Sequence, residues 1–234
     1  MKLSMLMPVY NEAATLDTAV KRVLDARYPC EIELVVVDDG SVDATGQVLE
    51  SLDDPRIVRG RHERNRGKGA AVKTAAQLAT GDYLLIFDAD LEYSPDDVAG
   101  LLQPVLRGDA AVVYGARTFG SSTAHSFWFV IGNKLTTFVA NALFNSWITD
   151  LHTCLKLMPL ELFRDLAPRE DRFGLDTEIT GLLLSRGIRP YEVPISYKAR
   201  SHEEGKKITW RDGVEALRIL VQIRIRQNRG GRGA

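Results

Sequence analysis

Only two cysteines occur in the chain, Cys30 and Cys154, and neither belongs to a CxxC or Cys/His cluster. No disulfide framework can be built from them, so two reduced thiols in a cytoplasmic protein are expected. Long hydrophobic runs are missing as well. Stretches such as FWFVI fall far short of the roughly 20 apolar residues that span a bilayer, so the chain is not expected to cross a membrane by itself. The N-terminal LSMLMPV stops at a proline after a strand's length, which does not read as a signal peptide. Repeats and low-complexity linkers are absent too. Net charge is nearly nil, at -1, but its distribution is not even. From Lys198 onward ten Lys or Arg face four acidic residues, a local +6 that leaves -7 for the rest. A basic end on an acidic body suits an anionic partner.

What is present reads as an ordinary globular composition, 45% hydrophobic and 26% charged over 234 residues, enough to bury one sizeable core. Apolar runs at 3–9, 32–38, 56–60, 83–88 and 110–115 predict strands buried on both faces. Amphipathic segments at 12–26, 43–52, 68–79 and 95–107 predict helices between them, with Ser41 or Asp43 and Ser94 as caps and Pro95 in a first turn. This alternation implies an α/β fold with a mostly parallel sheet and helices on both faces. The second half is less regular: helices at 126–146, 176–185 and 212–226, strands at 154–158 and 188–195, then a frayed RGGRGA tail. Ligands in such sheets sit beyond the carboxyl ends of the strands.

Four motifs fall at such ends. PVYNEAATL alone reads as a strand-to-helix turn with a capping Asn. VVVDDGS sets Asp38 and Asp39 before Gly-Ser, where close backbone approach and two carboxylates suit the donor groups of a base or ribose. HERNRGKGAAVKTA has a GxG but neither the third glycine of GxGxxG nor the GK[ST] of a P-loop, which weakens both of those readings. Its glycine-rich helix start with Lys68 still suits an anion, through backbone amides and the helix dipole. LLIFDADLEYSP ends a buried strand on Asp88 and Asp90. Two carboxylates one residue apart can share a hard divalent cation, Mg²⁺ or Mn²⁺, with substrate phosphates completing its shell.

In this order and spacing the four motifs resemble the family 2 glycosyltransferases of GT-A fold, from Leu3 to about Arg117. The resemblance implies a Rossmann-like single domain, 1–234, with a nucleotide-sugar-binding half (1–117), an acceptor-binding half (118–226) and a basic tail (227–234). It implies Asp88, Asp90 and Glu92 as metal ligands bridging the donor diphosphate. Pro8, Tyr10, Glu12 and Asp39 would surround the base and ribose, with Lys68, Ala89 and Arg117 on the diphosphate and sugar side. ITDLHTCLKLM, FGLDTEI and RSHEEGKKITWRDGVEALRIL further resemble the polyprenyl-phosphate sugar transferases of dolichyl-phosphate mannose synthase type. In that group a basic loop receives a lipid monophosphate, and Arg200, Lys206 and Lys207 occupy it here. Two departures stand out: His152 replaces a frequent acidic residue, and the C-terminal membrane helices of some members are not in this sequence.

A lipid phosphate is already an anion, so the implied reaction needs positioning and charge stabilisation more than a strong base. Asp90, Arg117 and Asp176 are the candidate catalytic residues. Asp176 and Glu178 fall where hydroxyl-using relatives place a base, although an acceptor-site or structural role fits a phosphate acceptor better. Direct displacement would invert the anomeric centre. GDP-mannose is the leading donor and UDP-glucose the alternative. The apolar stripes of 126–146 and 212–226 would either pack on the sheet or rest on the cytoplasmic face of a membrane, peripherally or beside a membrane-spanning partner. Three other readings compete. A nucleotidyltransferase would carry a GxGTRxxPK-type loop where PVYNEA stands. A nucleic-acid binder conflicts with the acidic sheet edge, so no nucleic acid is expected. A transferase acting on a saccharide hydroxyl is the runner-up.

Overall fold

A computed structural model of the chain describes residues 1–117, 127–198 and 210–230, without the side chains of 127–129, 210–211 and 229–230. Among them, seven strands form one sheet: β1 (Lys2–Val9), β2 (Glu31–Asp38), β3 (Ile57–Arg61), β4 (Tyr83–Ile86), β5 (Val113–Arg117), β6 (Lys156–Pro159) and β7 (Tyr191–Ile195), in the order β3-β2-β1-β4-β6-β5-β7. β1 pairs in parallel with β2 and β4, β2 with β3, and β5 with β7. β6 runs antiparallel to both neighbours. The chain order therefore does not map onto two separate halves. A strand from beyond residue 150 sits between β4 and β5 and joins both parts of the chain in one sheet.

Among the described residues eight helices accompany the strands: α1 (Leu16–Asp25), α2 (Thr45–Ser51), α3 (Lys68–Leu78), α4 (Asp97–Leu106), α5 (Phe127–Phe144), α6 (Leu160–Leu166), α7 (Leu175–Ser185) and α8 (Trp210–Gly230). β1 and β2 are nearly continuous apolar runs because both sheet faces are covered. α3 turns Ala71, Val72, Ala75 and Ala76 inward, and these small side chains bring its axis close over β1 and β2. α7 is buried along most of its length, held among α5, α6 and α8. A smaller apolar cluster of Ala140, Ile148, Leu151, Leu184 and Leu220 joins α5, α7 and α8.

Several boundaries differ from the sequence expectation. β4 ends at Ile86, so both aspartates of DAD stand beyond the regular strand. β5 starts three residues later than expected, after Gly108 turns the chain at φ 77°. α4 begins at Asp97; Ser94 accepts the Asp96 N–H at 3.3 Å in the turn before it. Asp43 is bonded to the Thr45 N–H at 3.0 Å just ahead of α2. α6 was not expected, because LELFRDL is short and follows a strand without a break.

Candidate functional site

The carboxyl ends of β1 and β2 are bound together before any ligand is considered. Asn11, in the left-handed region at φ 55°, donates its amide to Ser41 Oγ at 2.9 Å and accepts the Val42 N–H at 3.0 Å. The Glu12 N–H reaches Thr45 Oγ1 at 2.9 Å, and the Glu12 carboxylate accepts the Thr15 hydroxyl. Pro8 and Tyr10 stand half-buried at this edge. Asp38 is fully buried; one oxygen accepts the Ser41 N–H at 2.9 Å, and the other lies 3.4 Å from the Arg61 guanidinium.

Asp39 is held by bonds from within the protein. Its Oδ1 accepts the Arg66 N–H at 3.0 Å and meets His62 Nδ1 at 2.6 Å, while Oδ2 accepts the Gly67 N–H at 2.7 Å. His62 Nε2 continues the chain to Thr74 Oγ1 at 2.9 Å. A carboxylate offers about four acceptor positions, and three are filled from within the protein. Asp39 thereby shapes the turn into α3.

The glycines of that turn are also explained by the protein itself. A Cβ on Gly67, where φ is 104°, would sit 2.3 Å from the Asp171 carbonyl oxygen, and one on Gly69 would sit 2.4 Å from that of Glu170. The Ala70 N–H donates to the Asp171 carbonyl at 3.0 Å. Of the amides around the start of α3, those of Arg66 and Gly67 thus bond to Asp39 and that of Ala70 to the segment before α7. Lys68 alone of this turn reaches the sheet edge.

Beyond β4, the Phe87 N–H still bonds to the Leu6 carbonyl at 2.9 Å, and the chain then turns through Leu91 at φ 62°. A leucine in this region is strained, and such strain gathers at ligand-holding turns. Asp90 accepts the Glu92 N–H at 3.0 Å. The turn is stapled to the segment after β7: the Lys198 N–H donates to the Glu92 carbonyl at 2.9 Å, and the Tyr197 hydroxyl donates to the Glu92 carboxylate. Tyr93 packs on Tyr197 with ring centroids 5.1 Å apart and accepts the Cys154 N–H.

At the centre, Lys68 Nζ lies 2.8 Å from Asp88, 3.6 Å from Cys154 Sγ and 3.8 Å from Asp176. Burial works against its charge, yet Asp88, Cys154 and Asp176 outweigh it and hold the ammonium above its ordinary range. Asp90 is pushed the other way. Burial, then the negative charges of Asp88 and Glu92, raise it to about 7. Lys156 lies wholly buried behind Asp176 at 3.8 Å, over the Tyr114 ring at 4.8 Å, and donates to the Leu151 and Thr153 carbonyls. Desolvation lowers its pKa against the pull of Asp176 and Asp150. Asp176 therefore stands between two amines, with its Oδ1 buried and without a hydrogen bond.

Arg117 is placed apart from this centre. Its Nε and Nη2 bind Asp150 bidentately at 2.6 and 2.7 Å, and its guanidinium lies 5.0 Å from the Tyr197 ring centroid. Asn133 Nδ2 adds a third bond to Asp150 at 3.1 Å. Despite burial, Arg117 and the Asn133 amide hold the Asp150 carboxyl well below the usual range. Glu178 is occupied as well, one oxygen accepting the N–H groups of Arg169 and Glu170 at 2.7 Å each. His152 is half-buried against Thr136 at 2.8 Å, and desolvation followed by the charge of Lys156 lowers it to about 4.

The structure thus gathers Lys68, Asp88, Asp90 and Asp176 at one edge, with Glu92 bonded to Tyr197 beside them. Among the described residues no three His, Cys, Asp or Glu side chains form a preformed metal cage. Ala89 turns into the core, 3% exposed, so it serves as packing. Arg200, Lys206 and Lys207 lie outside the described residues. Lys156, Asp150 and Tyr197 were missed by sequence reasoning. A lysine inside the apolar run CLKLM is the one local signal that was there to find.

A sheet of this order, with carboxylates clustered beyond β4, has the architecture of the GT-A glycosyltransferase fold. The model of the family "Glycosyl transferase family 2" matches residues 4–167, and the chain belongs to that family. It is 24% identical over 212 residues to the UDP-N-acetylglucosamine–dolichyl-phosphate N-acetylglucosaminyltransferase of Methanococcus voltae, covering 82% of this chain and 83% of that one. It is 31% identical over 118 residues to a dolichol-phosphate mannosyltransferase of Pyrococcus furiosus, covering 50% of this chain and 33% of that protein. The fold matches glucosyl-3-phosphoglycerate synthase from Mycobacterium tuberculosis, solved with Mn²⁺, UDP and glucosyl-3-phosphoglycerate. That match has a TM-score of 0.73 at 19% identity and covers 97% of this chain and 79% of that one.

Proposed function

We propose that this glycosyltransferase moves a sugar from a nucleotide-sugar to the phosphate of a polyprenyl monophosphate, with inversion at the anomeric carbon. GDP-mannose is the donor to try first; UDP-glucose is the alternative, and the methanococcal relative adds UDP-N-acetylglucosamine. The supporting observation is the Asp88–Lys68–Asp176 array at the carboxyl edge of the sheet; the Lys198 N–H bonds to Glu92 in the turn that follows Asp88, and in sequence Lys198 leads into the basic segment of Arg200, Lys206 and Lys207.

The carboxylates fit a divalent ion that is completed by its substrate. Two crowded oxygen donors, one of them raised by burial and then by its neighbours' charge, match the way Mg²⁺ is held by one or two carboxylates plus phosphates. Asp88 and Asp90 would hold Mg²⁺ or Mn²⁺, which would neutralise the departing diphosphate. Glu92, bonded to Tyr197, supports the turn and ties it to the acceptor side. Lys68 supplies a fixed positive charge beside the leaving group. Asp176, set between Lys68 and Lys156, orients both amines. Arg117 acts through Asp150 and Tyr197, keeping β5, α5 and the segment after β7 in register. The acceptor phosphate attacks as an anion, so no side chain has to remove a proton. Pro8, Tyr10 and Glu12 line the edge assigned to the base and ribose. The protein would work peripherally on the cytoplasmic face of the membrane.

The test is transfer of radiolabelled sugar by the purified chain to polyprenyl phosphate in detergent, with Mg²⁺ or Mn²⁺ and the three donors in parallel. Chloroform-soluble label from one donor, lost in Asp90→Ala, is expected. A saccharide-hydroxyl acceptor is the second reading, favoured by Asp176 Oδ1, which accepts no hydrogen bond. Asp176→Asn that abolished turnover without weakening donor binding, together with no lipid product, would establish it instead.

A further inference from the structure

α5 is built inside out. Beside the buried Ala140, its inward side is largely polar: Asn133 holds Asp150, Thr136 holds His152, Thr137 accepts the Leu151 N–H at 3.2 Å, and Asn141 bonds both polar groups of the Ile148 backbone at 2.9 Å. Its outward side carries Ile131, Leu135 and Phe138 at i, i+4 and i+7, exposed by 43%, 55% and 66%. Trp147, just past the helix, is 81% exposed. A helix facing water shows the reverse arrangement. Contiguous exposed apolar side chains of this size mark a surface that something else covers.

We infer that the outer row of α5, continued onto α8, rests on an anionic lipid bilayer; this deepens the lipid-phosphate reading and rests on it. α8 packs against α5 and exposes Val214, Val221 and Ile225. Among the described residues, the exposed positions of α5 carry no acid; α8 holds two partly exposed ones, Asp212 and Glu215, and Glu215 is paired with Arg218 at 3.0 Å. The chain carries +6 from Lys198 onward against -7 elsewhere, so an anionic surface attracts this end and repels the body. Tryptophan beside an aliphatic row is the composition of the membrane–water interface. A second copy seated on the same row would bring like charges together. The inner face of this helix fixes Asp150 and His152, on the segment leading to Cys154 and Lys68, so the row that meets the bilayer also carries one wall of the site.

The full chain is centrifuged with vesicles of phosphatidylcholine alone or mixed with phosphatidylglycerol, as wild type and as Leu135→Gln/Phe138→Gln. Transfer to a short, water-soluble polyprenyl phosphate is assayed in parallel without vesicles. Wild type is expected to sediment only with the anionic vesicles and less so in high salt. The variant should bind on the order of tenfold or more weakly, from its lost apolar burial, with its soluble transfer rate unchanged. Equal sedimentation of the two, or none by wild type, overturns the inference. So does a dimer of wild type that the substitutions dissociate, because the row would then cover a second copy. Vesicle binding with no transfer to the short acceptor would overturn the lipid-phosphate reading alone.

Discussion

Asp150→Ala is the perturbation whose cost the structure sets most closely. It deletes both oxygens that Arg117 grips at 2.6 and 2.7 Å and the one that Asn133 approaches. The two side chains are only 11% and 4% exposed, so water does not replace the lost partner, and the guanidinium is left with the Tyr197 ring. Removing one member of a buried, hydrogen-bonded pair costs about 3–5 kcal/mol, because the other charge stays behind unpaired. In a domain with total stability on the order of 5–15 kcal/mol, that amounts to roughly 10 °C in the melting temperature. Arg117→Met should cost less, since methionine fills much of the same apolar space and leaves a carboxylate that Asn133 still binds. The double variant should be more stable than Asp150→Ala alone. Urea unfolding of the four proteins gives the coupling energy. If the costs simply add, to within about 0.5 kcal/mol, the pair is not coupled and the positioning role of Arg117 fails. If Arg117→Lys weakens nucleoside-diphosphate binding while Asp150→Asn leaves it intact, Arg117 touches the donor directly, as the family resemblance implied.

Chelation by EDTA should abolish transfer, with Mg²⁺ or Mn²⁺ restoring it; full activity after exhaustive chelation would exclude the role assigned to Asp88 and Asp90. Glu178→Ala should lower stability by roughly 1–3 kcal/mol, because the Arg169 and Glu170 amides lose their acceptor; unchanged melting would show that those bonds do not matter. Glu33 is held down to about 2: burial opposes its charge, but the Lys2, Ser4 and Thr80 bonds prevail. A carboxylate whose folded pKa is depressed stabilises above its ordinary 4.5 and loses that contribution as pH falls toward 2. Glu33→Gln should therefore be less stable than wild type at neutral pH, and the two should converge in acid. For His152, lowered to about 4 from an ordinary 6.5, the unfolded chain takes up the proton first. Its contribution is complete above 6.5 and fades as pH drops to 4, so His152→Gln should flatten the acid limb of the stability profile in that window.

What the sequence made legible was whatever depends on local pattern. Apolar runs marked the strands, and carboxylates at the end of LLIF marked the edge where the site lies. What depends on partners distant in the chain was hidden. Arg117 reads as a free cation at a strand end until Asp150, 33 residues on, is folded against it. Nothing local to Asp39 shows that His62, Arg66 and Gly67 all bond to its carboxylate. The glycines of NRGKGA suggested an anion cradle, but a tight loop and a cradle need the same residues, and only the Asp171 carbonyl beside Gly67 tells them apart. For Glu178 the structural role that the sequence reading preferred to a base takes the form of a loop cap, whose amides lie eight and nine residues before it.

The same ambiguity governs α5, where the apolar stripe was visible but its direction was not. Periodicity states that two faces differ; it does not state which one meets the protein. Here the inner face is decided by Asp150, His152 and the backbone of Leu151 and Ile148, all polar groups that must be satisfied once buried. Asn133, Thr136, Thr137 and Asn141 satisfy them, so the helix cannot turn its aliphatic row inward without leaving those groups unpaired. The exposure of Ile131, Leu135 and Phe138 is therefore a consequence of building the site wall from polar contacts. Any substitution that makes that wall apolar should both loosen Asp150 and remove the reason for the outward row.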